Sequence, residues 1–258
     1  MTFQYILRKY GEIIMKKAIV IGASSGIGRS LAKLLACEGF TVGVTARRVD
    51  LLEQLAEEIA SESLVDSVCL VRTMDIVKYD EAITVLDDMI SEIGGMDLLV
   101  ICSGTGHLNP DLNLAMEMDT ISVNVSGFTA LICHGASFME RQGHGHIVGV
   151  SSIAALRGGR AAPAYNASKA YVSNYLEGLR QRFFKLAIPV KITEAQPGFV
   201  DTRMAQGEGL FWVASPEKAA TQIYRAIKLG REHVYVTKRW RLIAWLMKML
   251  PASLYKRL

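Results

Sequence analysis

Short apolar segments of β-type alternate with longer segments of helical periodicity along most of the chain. The first short segment is Ala18 to Ile21 and the last is Val234 to Val236. Five more strand candidates lie between them: Thr41 to Thr45, Ser67 to Val71, Asp97 to Cys102, His146 to Ser151 and Val190 to Glu194. Parallel strands need long crossovers, and these crossovers are right-handed. The alternation therefore predicts an α/β fold in which helices cover both faces of a parallel sheet of about seven strands.

The chain is expected to form one domain, because no Pro/Gly/Ser-rich linker, repeat or low-complexity tract interrupts the pattern between residues 16 and 237. Residues 1–15 are expected to be an extension outside the fold, since Arg8, Lys9 and Glu12 interrupt any run long enough for a secretory signal. No stretch reaches about 18 uninterrupted apolar residues, so a membrane-spanning helix is not expected.

Composition argues against two classes of partner. The formal net charge of +4 over 258 residues is modest, which disfavours a nucleic-acid binder. The histidines lack compact ligand spacing, so no metal site is expected, and His144 and His146 are expected at a turn or strand edge. The cysteines have no C-x-x-C spacing and are expected to be reduced core residues of a cytoplasmic protein: Cys37, Cys69, Cys102 and Cys133.

A glycine-rich segment, Gly22-Ala23-Ser24-Ser25-Gly26-Ile27-Gly28, directly follows the first strand and continues into a helix. Glycines there permit a tight turn and the close approach of a pyrophosphate, whose charge would meet the helix N-terminus. The alternative, a purely structural turn, stays open on this segment alone.

The second strand ends at Thr45-Ala46-Arg47-Arg48, without the acidic residue that would hold the 2′-hydroxyl of NAD. A guanidinium can bind phosphate through two hydrogen bonds, so this pair favours the 2′-phosphate of NADP(H). Ser24 and Arg47 are the first expected contacts and Arg48 the next, although a solvated start of the following helix would also explain two arginines.

Tyr165 and Lys169 lie one turn apart on a predicted helix, with Ser152 upstream in Ser151-Ser152. Both side chains would project from one face of that helix. A free phenol has a pKa of about 10, and a neighbouring ammonium favours the phenolate. A catalytic acid–base pair is therefore predicted, against the alternative of an ordinary surface pair.

The glycine spacing and the order of Asn124, Ser152, Tyr165 and Lys169 resemble the short-chain dehydrogenase/reductase family over about Lys16 to Thr237. The resemblance implies a Rossmann-type, doubly wound fold and hydride transfer between NADP(H) and a carbonyl or secondary-alcohol carbon. It implies that Tyr165 is the general acid and base and that Ser152 hydrogen-bonds the substrate oxygen. Lys169 would bind the nicotinamide ribose and lower the Tyr165 pKa, and Asn124 would hold a relay water.

The resemblance also implies which residues contact the nucleotide: Gly22, Ser24, Ser25, Gly26, Ile27, Gly28, Arg47, Arg48, Asp75, Ile76, Ser103, Gly104, Tyr165, Lys169, Pro197, Gly198, Val200 and Thr202. Two departures stand out. Ala23 replaces the usual Thr, and Ile101-Cys102-Ser103-Gly104 replaces the usual Asn-Asn-Ala-Gly. We expect altered support of the adenine-ribose wall and no loss of catalysis. Cys102 is expected to be a packed residue, with a reactive thiol as the alternative.

Residues 238–258 are predicted to form a basic amphipathic helix appended to the domain. Three roles stay open for it: docking on an anionic membrane surface, covering the substrate pocket, or packing against a partner subunit. Arg203 to Trp212 combines glycines with Met, Leu, Phe and Trp, which predicts a mobile lid over an apolar substrate. Lipid contact would favour a long-chain ketone, as in ketosphinganine-reductase-like relatives.

The expected partners are thus a small, apolar carbonyl or alcohol substrate and, by resemblance only, other copies of the chain in a homodimer or homotetramer. The expected location is cytoplasmic, with peripheral contact to the inner membrane surface left open. Two other functions remain as alternatives: a non-catalytic NADP(H)-binding regulator, or a membrane-surface scaffold that acts through its basic tail.

Overall fold

The computed structural model describes residues 16–62, 68–202, 204 and 211–257. A single sheet of seven parallel strands runs through it in the order β3-β2-β1-β4-β5-β6-β7. The strands are β1 Lys17–Ile21, β2 Thr41–Ala46, β3 Cys69–Thr73, β4 Leu98–Ile101, β5 Gly145–Val150, β6 Val190–Pro197 and β7 His233–Val236. The strand order reverses at β1, with β2 on one side and β4 on the other, which makes the sheet doubly wound. The predicted fold class is confirmed.

Helical elements follow the strands as connections between them. The α-helices are α1 Gly26–Cys37, α2 Val49–Glu62, α3 Tyr79–Ile93, α4 Leu114–Ile121, α5 Phe128–Gln142, α6 Pro163–Leu186, α7 Pro216–Lys228, α8 Trp240–Met249 and α9 Ala252–Tyr255. A π-helical turn, Ser122–Gly127, joins α4 to α5, and a 3₁₀ turn, Ile153–Leu156, follows β5. Because strand connections of this kind are right-handed, α1, α2 and α7 cover one face and α3, α5 and α6 the other.

The two faces of β1 show why its sequence is apolar throughout. Ile19 and Ile21 belong to the core under α3, α5 and α6, whereas Ala18 and Val20 belong to the core under α1, α2 and α7. A strand buried on both faces needs no polar alternation. The continuous apolar run is therefore a feature of a central strand, and it fixes where the following glycine segment begins.

The strand boundaries differ most from prediction at β6, which continues from Val190 to Pro197 and so runs beyond Glu194. Its last residues pair with β7, where Gln196 lies opposite Tyr235 and Pro197 opposite Val236. Gln196 is polar and Pro197 has no backbone N–H, so a pattern of apolar β-type residues does not predict them as part of the strand. Pro197 is thus the last residue of a strand, and Gly198 begins the loop that follows.

The cysteine prediction is wrong for two of the four thiols. All four are free, but Cys37 and Cys133 are exposed, because the helices α1 and α5 carry them on their outer faces. Cys102 is the packed thiol that was expected, and burial raises its pKa to about 12.

The helical stretch Leu114–Gln142 has the length and mean hydropathy, 1.2, of a membrane span. Its inner residues, including Leu131, lie in the core.

His146 lies inside β5, where it is 8% exposed, so the expected place at a turn or strand edge is corrected to a buried one. Its Nε2 lies 2.7 Å from Thr193 Oγ1 on the neighbouring strand β6. The Thr193 hydroxyl donates to the Arg231 carbonyl at 2.5 Å, so the imidazole must donate to Thr193. Burial lowers the pKa of His146 from 6.5 to about 4.

This buried imidazole makes stability depend on pH. Between pH 6.5 and about 4 the unfolded chain binds the proton that the folded chain excludes, so stability falls as the pH drops through this window. We expect His146 to account for roughly 3 kcal/mol of the loss, at about 1.4 kcal/mol per unit. Urea unfolding at several pH values would measure it. A His146→Gln protein, which can still donate to Thr193, should lose less stability over this window, and an identical pH dependence would contradict the assignment.

Candidate active site

The glycine segment after β1 leaves no room for side chains on its first and last glycines. Gly22 has a φ of +89°, and a Cβ there would lie 2.5 Å from the Ser103 backbone nitrogen. A Cβ on Gly28 would lie 2.3 Å from the Gly22 carbonyl oxygen. The Gly22 and Ala23 amides both donate to the Thr45 carbonyl, at 2.8 and 3.0 Å. The turn is therefore fixed against the ends of both neighbouring strands.

Arg48 reaches the glycine segment from the end of β2. Its Nη2 donates to Ser24 Oγ at 2.7 Å and to Ser25 Oγ at 2.9 Å, while Arg47 is exposed. Arg48 is thus the arginine that contacts Ser24, and which of the two arginines contacts a phosphate stays a prediction. Ser25 directly precedes α1, and its hydroxyl accepts from Arg48 without capping the helix. The N-terminus of α1 and a guanidinium therefore lie beside the same serines.

The loops after β3 and β4 hold four more of the predicted nucleotide contacts: Asp75, Ile76, Ser103 and Gly104. Asp75 Oδ1 accepts a hydrogen bond from the Val77 amide at 3.3 Å. The Ile76 carbonyl oxygen packs against Gly127 of the π-helical turn, where a Cβ would lie 2.5 Å from it. Ser103 Oγ is buried and has no hydrogen-bond partner among the described residues. A buried hydroxyl without a partner is costly, so it indicates a place for a polar ligand atom.

Tyr165 and Lys169 project from the first turns of α6 toward the ends of β4 and β5. The Tyr165 ring packs on Gly106, where a Cβ would lie 2.6 Å from Cδ2. Lys169 is 5% exposed, and its Nζ donates to the Val150 carbonyl at 3.0 Å. Ser152 Oγ accepts from the Ala154 amide at 3.1 Å and also hydrogen-bonds Tyr165. The predicted catalytic serine, tyrosine and lysine thus occupy one buried site.

Asn124 lies in the π-helical turn and is 2% exposed. Its side-chain amide bonds both backbone groups of Thr105, at 2.9 and 2.7 Å, and donates to Ser168 Oγ at 3.0 Å. A Cβ on Gly104 would lie 3.3 Å from Asn124 Oδ1 and 3.2 Å from Lys169 Nζ. The asparagine therefore fixes the loop after β4 to α6 beside the catalytic lysine.

Burial dominates the electrostatics of this site. It raises the pKa of Tyr165 above its ordinary value of 10.0, and the hydrogen bond with Ser152 partly offsets the rise. Burial also lowers the pKa of Lys169 from 10.5 to about 8. The Ser152 hydroxyl is the group that favours the phenolate in this structure, and a lowering of the Tyr165 pKa by Lys169 stays a prediction.

The loop after β6 closes against the glycine segment. Val200 is buried and forms an isolated bridge with Ala214. The Thr202 methyl group packs on Gly26, where a Cβ would lie 2.8 Å from it. The structure therefore places Thr202 directly against Gly26 of the glycine segment, although the two residues are far apart in sequence. The predicted lid falls largely outside the described residues, which here include only Met204, Phe211 and Trp212 of Arg203 to Trp212.

Sequence reasoning missed the contact of Trp240 with Gly198. A Cβ on Gly198 would lie 1.9 Å from the indole Cε2, so the ring lies directly on the glycine backbone. Phe199 and Phe211 pack on the same indole, with ring centroids at 5.4 and 5.2 Å. Further along, the Tyr255 hydroxyl donates to the Gly158 carbonyl at 2.6 Å. The C-terminal segment thus packs beside the loops around Ser152 and Gly198.

Glu194 is a second group that sequence reasoning missed, although an acidic residue inside an apolar strand was visible. Its Oε1 accepts hydrogen bonds from Ser151, at 2.6 Å, and from Ser173. Its Oε2 lies 3.8 Å from Arg180 Nη2 and 4.0 Å from His233 Nε2. The carboxylate, 6% exposed, joins the end of β5 to α6. It therefore fixes the two elements that carry Ser152, Tyr165 and Lys169.

Replacing Glu194 with alanine is expected to lower the free energy of unfolding by about 3 kcal/mol, because the buried Ser151 and half-buried Ser173 hydroxyls lose their acceptor and Arg180 loses a carboxylate. The matched control is Glu140→Ala. Glu140 pairs with Arg182 in an exposed bridge, and its loss should cost less than about 1 kcal/mol. Denaturant unfolding of both variants measures the difference. Equal losses would show that the Glu194 network adds nothing beyond an ordinary surface pair.

These features together fit a dinucleotide. Gly22 and Gly28 leave the backbone open to a pyrophosphate at the N-terminus of α1. Arg48 supplies a cation beside Ser24 for a further phosphate, and Ser103 Oγ is a buried hydroxyl without a partner among the described residues. Groups of metal-ligating side chains do not occur among the described residues.

The sequence matches one protein family over most of its length, and it is similar to individual members of that family. Residues 16–210 match the family model for short chain dehydrogenases. An uncharacterized oxidoreductase of Myxococcus xanthus is 35% identical over 196 residues, which are 75% of this chain and 75% of the relative. The 11-beta-hydroxysteroid dehydrogenase 1A of Arabidopsis thaliana is 31% identical over 267 residues, which span 95% of this chain and 73% of the relative.

Solved structures share the fold at lower identity. A short chain dehydrogenase/reductase of Burkholderia phymatum in complex with NAD has a TM-score of 0.78 and 20% identity, covering 90% of this chain and 92% of that one. A short-chain dehydrogenase of Sphingobium yanoikuyae in complex with NADPH has a TM-score of 0.77 and 19% identity, covering 92% and 97%. At these identities the likeness concerns the fold.

Proposed function

The chain belongs to the short-chain dehydrogenase family and is therefore an oxidoreductase, and from this premise we propose that it interconverts a carbonyl compound and a secondary alcohol with NADP(H). The observation that carries the proposal is the convergence of Ser152, Tyr165 and Lys169 in one buried site beside the glycine segment. A regulator that only binds nucleotide has no need for such a set.

The bound dinucleotide would supply the hydride that adds to the carbonyl carbon. The protein would manage the charge that develops on the carbonyl oxygen. Ser152 would donate a hydrogen bond to that oxygen, because its hydroxyl already accepts from the Ala154 amide and lies beside Tyr165. Tyr165 would transfer its proton to the same oxygen in reduction and take it back in oxidation.

Lys169 and Asn124 would support this proton transfer. The Lys169 ammonium is held by the Val150 carbonyl beside Gly104, where it would bind the hydroxyls of the nicotinamide ribose. Its positive charge would then favour the phenolate of Tyr165. Asn124 would hold the relay water through the remaining lone pair of its Oδ1, because its Nδ2 already donates to Thr105 and Ser168. It also keeps the loop after β4 in place.

The preference for NADP(H) over NAD(H) rests on Arg48. We expect Arg48→Ala to weaken NADPH binding about tenfold or more and to leave NADH binding nearly unchanged, because a charged hydrogen bond to the 2′-phosphate is lost. Arg47→Ala is the matched control, since Arg47 is exposed and should contribute less. Fluorescence titration with both nucleotides measures this. A larger loss from the Arg47 variant, or equal losses of NADPH and NADH, would contradict the assignment.

The proposed substrate is a lipophilic ketone. Phe199, next to Gly198, packs on Phe211, which packs on Trp212, and these three rings would present aromatic surface to an apolar ligand. The Arabidopsis relative is named for hydroxysteroids, which agrees with a large apolar substrate. Reduction of ketones of increasing chain length tests the proposal, and kcat/KM should rise with length. A preference for short, polar ketones would exclude the lipophilic class and the ketosphinganine-reductase-like subtype with it.

We further propose a homodimer or homotetramer in the cytoplasm. Helix α4 and the loop before it expose apolar side chains, among them Leu112, Leu114 and Met118, at 65, 72 and 50%. Four free thiols suit a reducing compartment. Analytical ultracentrifugation measures the oligomeric state, and a monomer at micromolar concentration would exclude the assembly.

A further inference from the structure

Helix α8 presents an apolar stripe to solvent. Its inner face carries Trp240 and Ala244, which are buried in the domain. Its outer face carries Leu242, Trp245, Leu246 and Met249, whose exposed fractions are 70, 64, 54 and 63%. This spacing places the four side chains on one side of the helix. The helix is thus apolar on both sides, and packing within the chain explains only the inner one.

Two exposed aromatic side chains at the end of the predicted lid pack against Trp240, the first residue of α8. Phe211 stacks on the Trp240 indole at 5.2 Å, and Trp212 packs edge-on against the same indole at 6.0 Å. Both remain substantially exposed, at 47 and 40%. We call Phe211, Trp212, Leu242, Trp245, Leu246 and Met249 the C-terminal plateau. Trp240, at its root, lies on Gly198, so the plateau borders the candidate active site.

Basic side chains lie beside the plateau. From His233 to the last residue the sequence has no acidic residue and six basic ones: Lys238, Arg239, Arg241, Lys248, Lys256 and Arg257. Arg241 and Lys248 are exposed on α8 itself. A cleft of about 260 Å³ at the edge of the plateau is lined by Lys218, Lys238 and Arg239 together with Trp212. The apolar surface therefore has positive charge next to it, on α8 and at this cleft.

We propose that the C-terminal plateau docks on an anionic lipid bilayer. A helix that lies in the membrane interface buries Trp and Leu among the acyl chains while its Lys and Arg meet anionic headgroups. A second copy of the chain fits less well, because a two-fold contact through this face would bring two sets of like charges together. Docking does not depend on the proposed reaction, and it would place the opening of the site at the surface from which lipophilic molecules partition.

Vesicle flotation tests this with the full chain. Wild-type protein is mixed with vesicles of phosphatidylcholine alone or of phosphatidylcholine with phosphatidylglycerol, at low and high salt. We expect flotation with the anionic vesicles only, weakened by salt. A Trp245→Ser, Leu246→Ser double variant should bind at least about tenfold more weakly because it loses apolar anchoring. An Arg241→Glu, Lys248→Glu double variant should lose a similar factor or more, since each cation contributes about fivefold at an anionic surface.

The matched control is a Phe184→Ser, Leu229→Ser double variant, which removes two exposed apolar side chains, 87 and 65% exposed, that precede β6 and β7. They lie near the amino-terminal ends of these strands, away from the carboxyl-terminal ends that carry the site, so binding should stay at the wild-type level. Circular dichroism confirms that each variant is folded. Absence of wild-type flotation, equal binding to neutral vesicles, or equal loss in the control would overturn the proposal. So would a plateau variant that instead dissociates an oligomer, because a second copy would then cover this face. NADPH titration of the same samples, which reports the cofactor site separately, would show whether the proposed function stands.

Discussion

Replacing Tyr165 with phenylalanine is expected to lower kcat/KM for carbonyl reduction about 10³-fold while the affinity for NADPH stays within about twofold. Phenylalanine keeps the ring that packs on Gly106 and removes only the hydroxyl that hydrogen-bonds Ser152. The proton donor is lost, but the surfaces that would bind the nucleotide are retained. Steady-state NADPH oxidation and nucleotide fluorescence measure the two quantities on the same preparation.

Tyr171→Phe is the matched control for this change. Tyr171 lies on the same helix, and its hydroxyl is 2.7 Å from Thr129 Oγ1 on α5. Its removal should leave kcat/KM within about twofold, since an ordinary hydrogen bond contributes about 1 kcal/mol to stability and nothing to the proton transfer. Unchanged turnover in Tyr165→Phe would mean that another group supplies the proton. NADPH binding without turnover in the wild-type protein, across the whole ketone series, would favour the regulator.

The second large effect is expected from Gly28→Ala. The new Cβ would lie 2.3 Å from the Gly22 carbonyl oxygen, and this atom belongs to the backbone and cannot move aside as a side chain can. The turn after β1 and the N-terminus of α1 must separate, which displaces the amides that would face the pyrophosphate. We expect NADPH affinity to fall at least about 100-fold and the free energy of unfolding to fall by about 2 kcal/mol.

Gly178→Ala is the control, because Gly178 is also helical but has no heavy atom within 4 Å of its ideal Cβ. The change should leave NADPH affinity unaltered and raise the free energy of unfolding by up to about 1 kcal/mol, since alanine has the higher helix propensity. Nucleotide titration and urea unfolding measure both. If Gly28→Ala behaved like Gly178→Ala, the close contact between Gly28 and Gly22 would contribute neither to NADPH affinity nor to stability.

The fold could be predicted from the sequence because its determinants are local. A strand buried on both faces, such as β1, is apolar at every position, and the glycine segment follows it directly. The tyrosine and lysine of the candidate site share one helix, so their spacing alone places them on one face. Their partner Ser152 is close in sequence to the end of β5, which the same pattern located.

The rest depended on contacts between distant parts of the chain. Arg47 and Arg48 are equivalent in sequence, and only the path of the backbone after β2 decides that Arg48 meets Ser24. Glu194 acquires its role from Ser151, directly after β5, and from Ser173 on α6. In the sequence, Trp240 is one of several apolar residues of an amphipathic helix, and only the structure shows that its ring lies on Gly198. Spacing within one segment carries no information about any of these pairs.

The position of β1 in the sheet has a consequence for how the protein matures during synthesis. β1 pairs with β2 on one side and with β4 on the other, and the Lys17 amide bonds Asp97 across 80 residues of chain. The glycine turn is likewise closed by Ser103, which follows β4. A ribosome-bound chain that has not yet exposed β4 therefore lacks one wall of the nucleotide cradle. Long-range pairing of this kind forms late and leaves strand edges open meanwhile. Nascent chains stalled before β4 should depend on chaperones, and nucleotide should begin to stabilise them only once that strand has emerged.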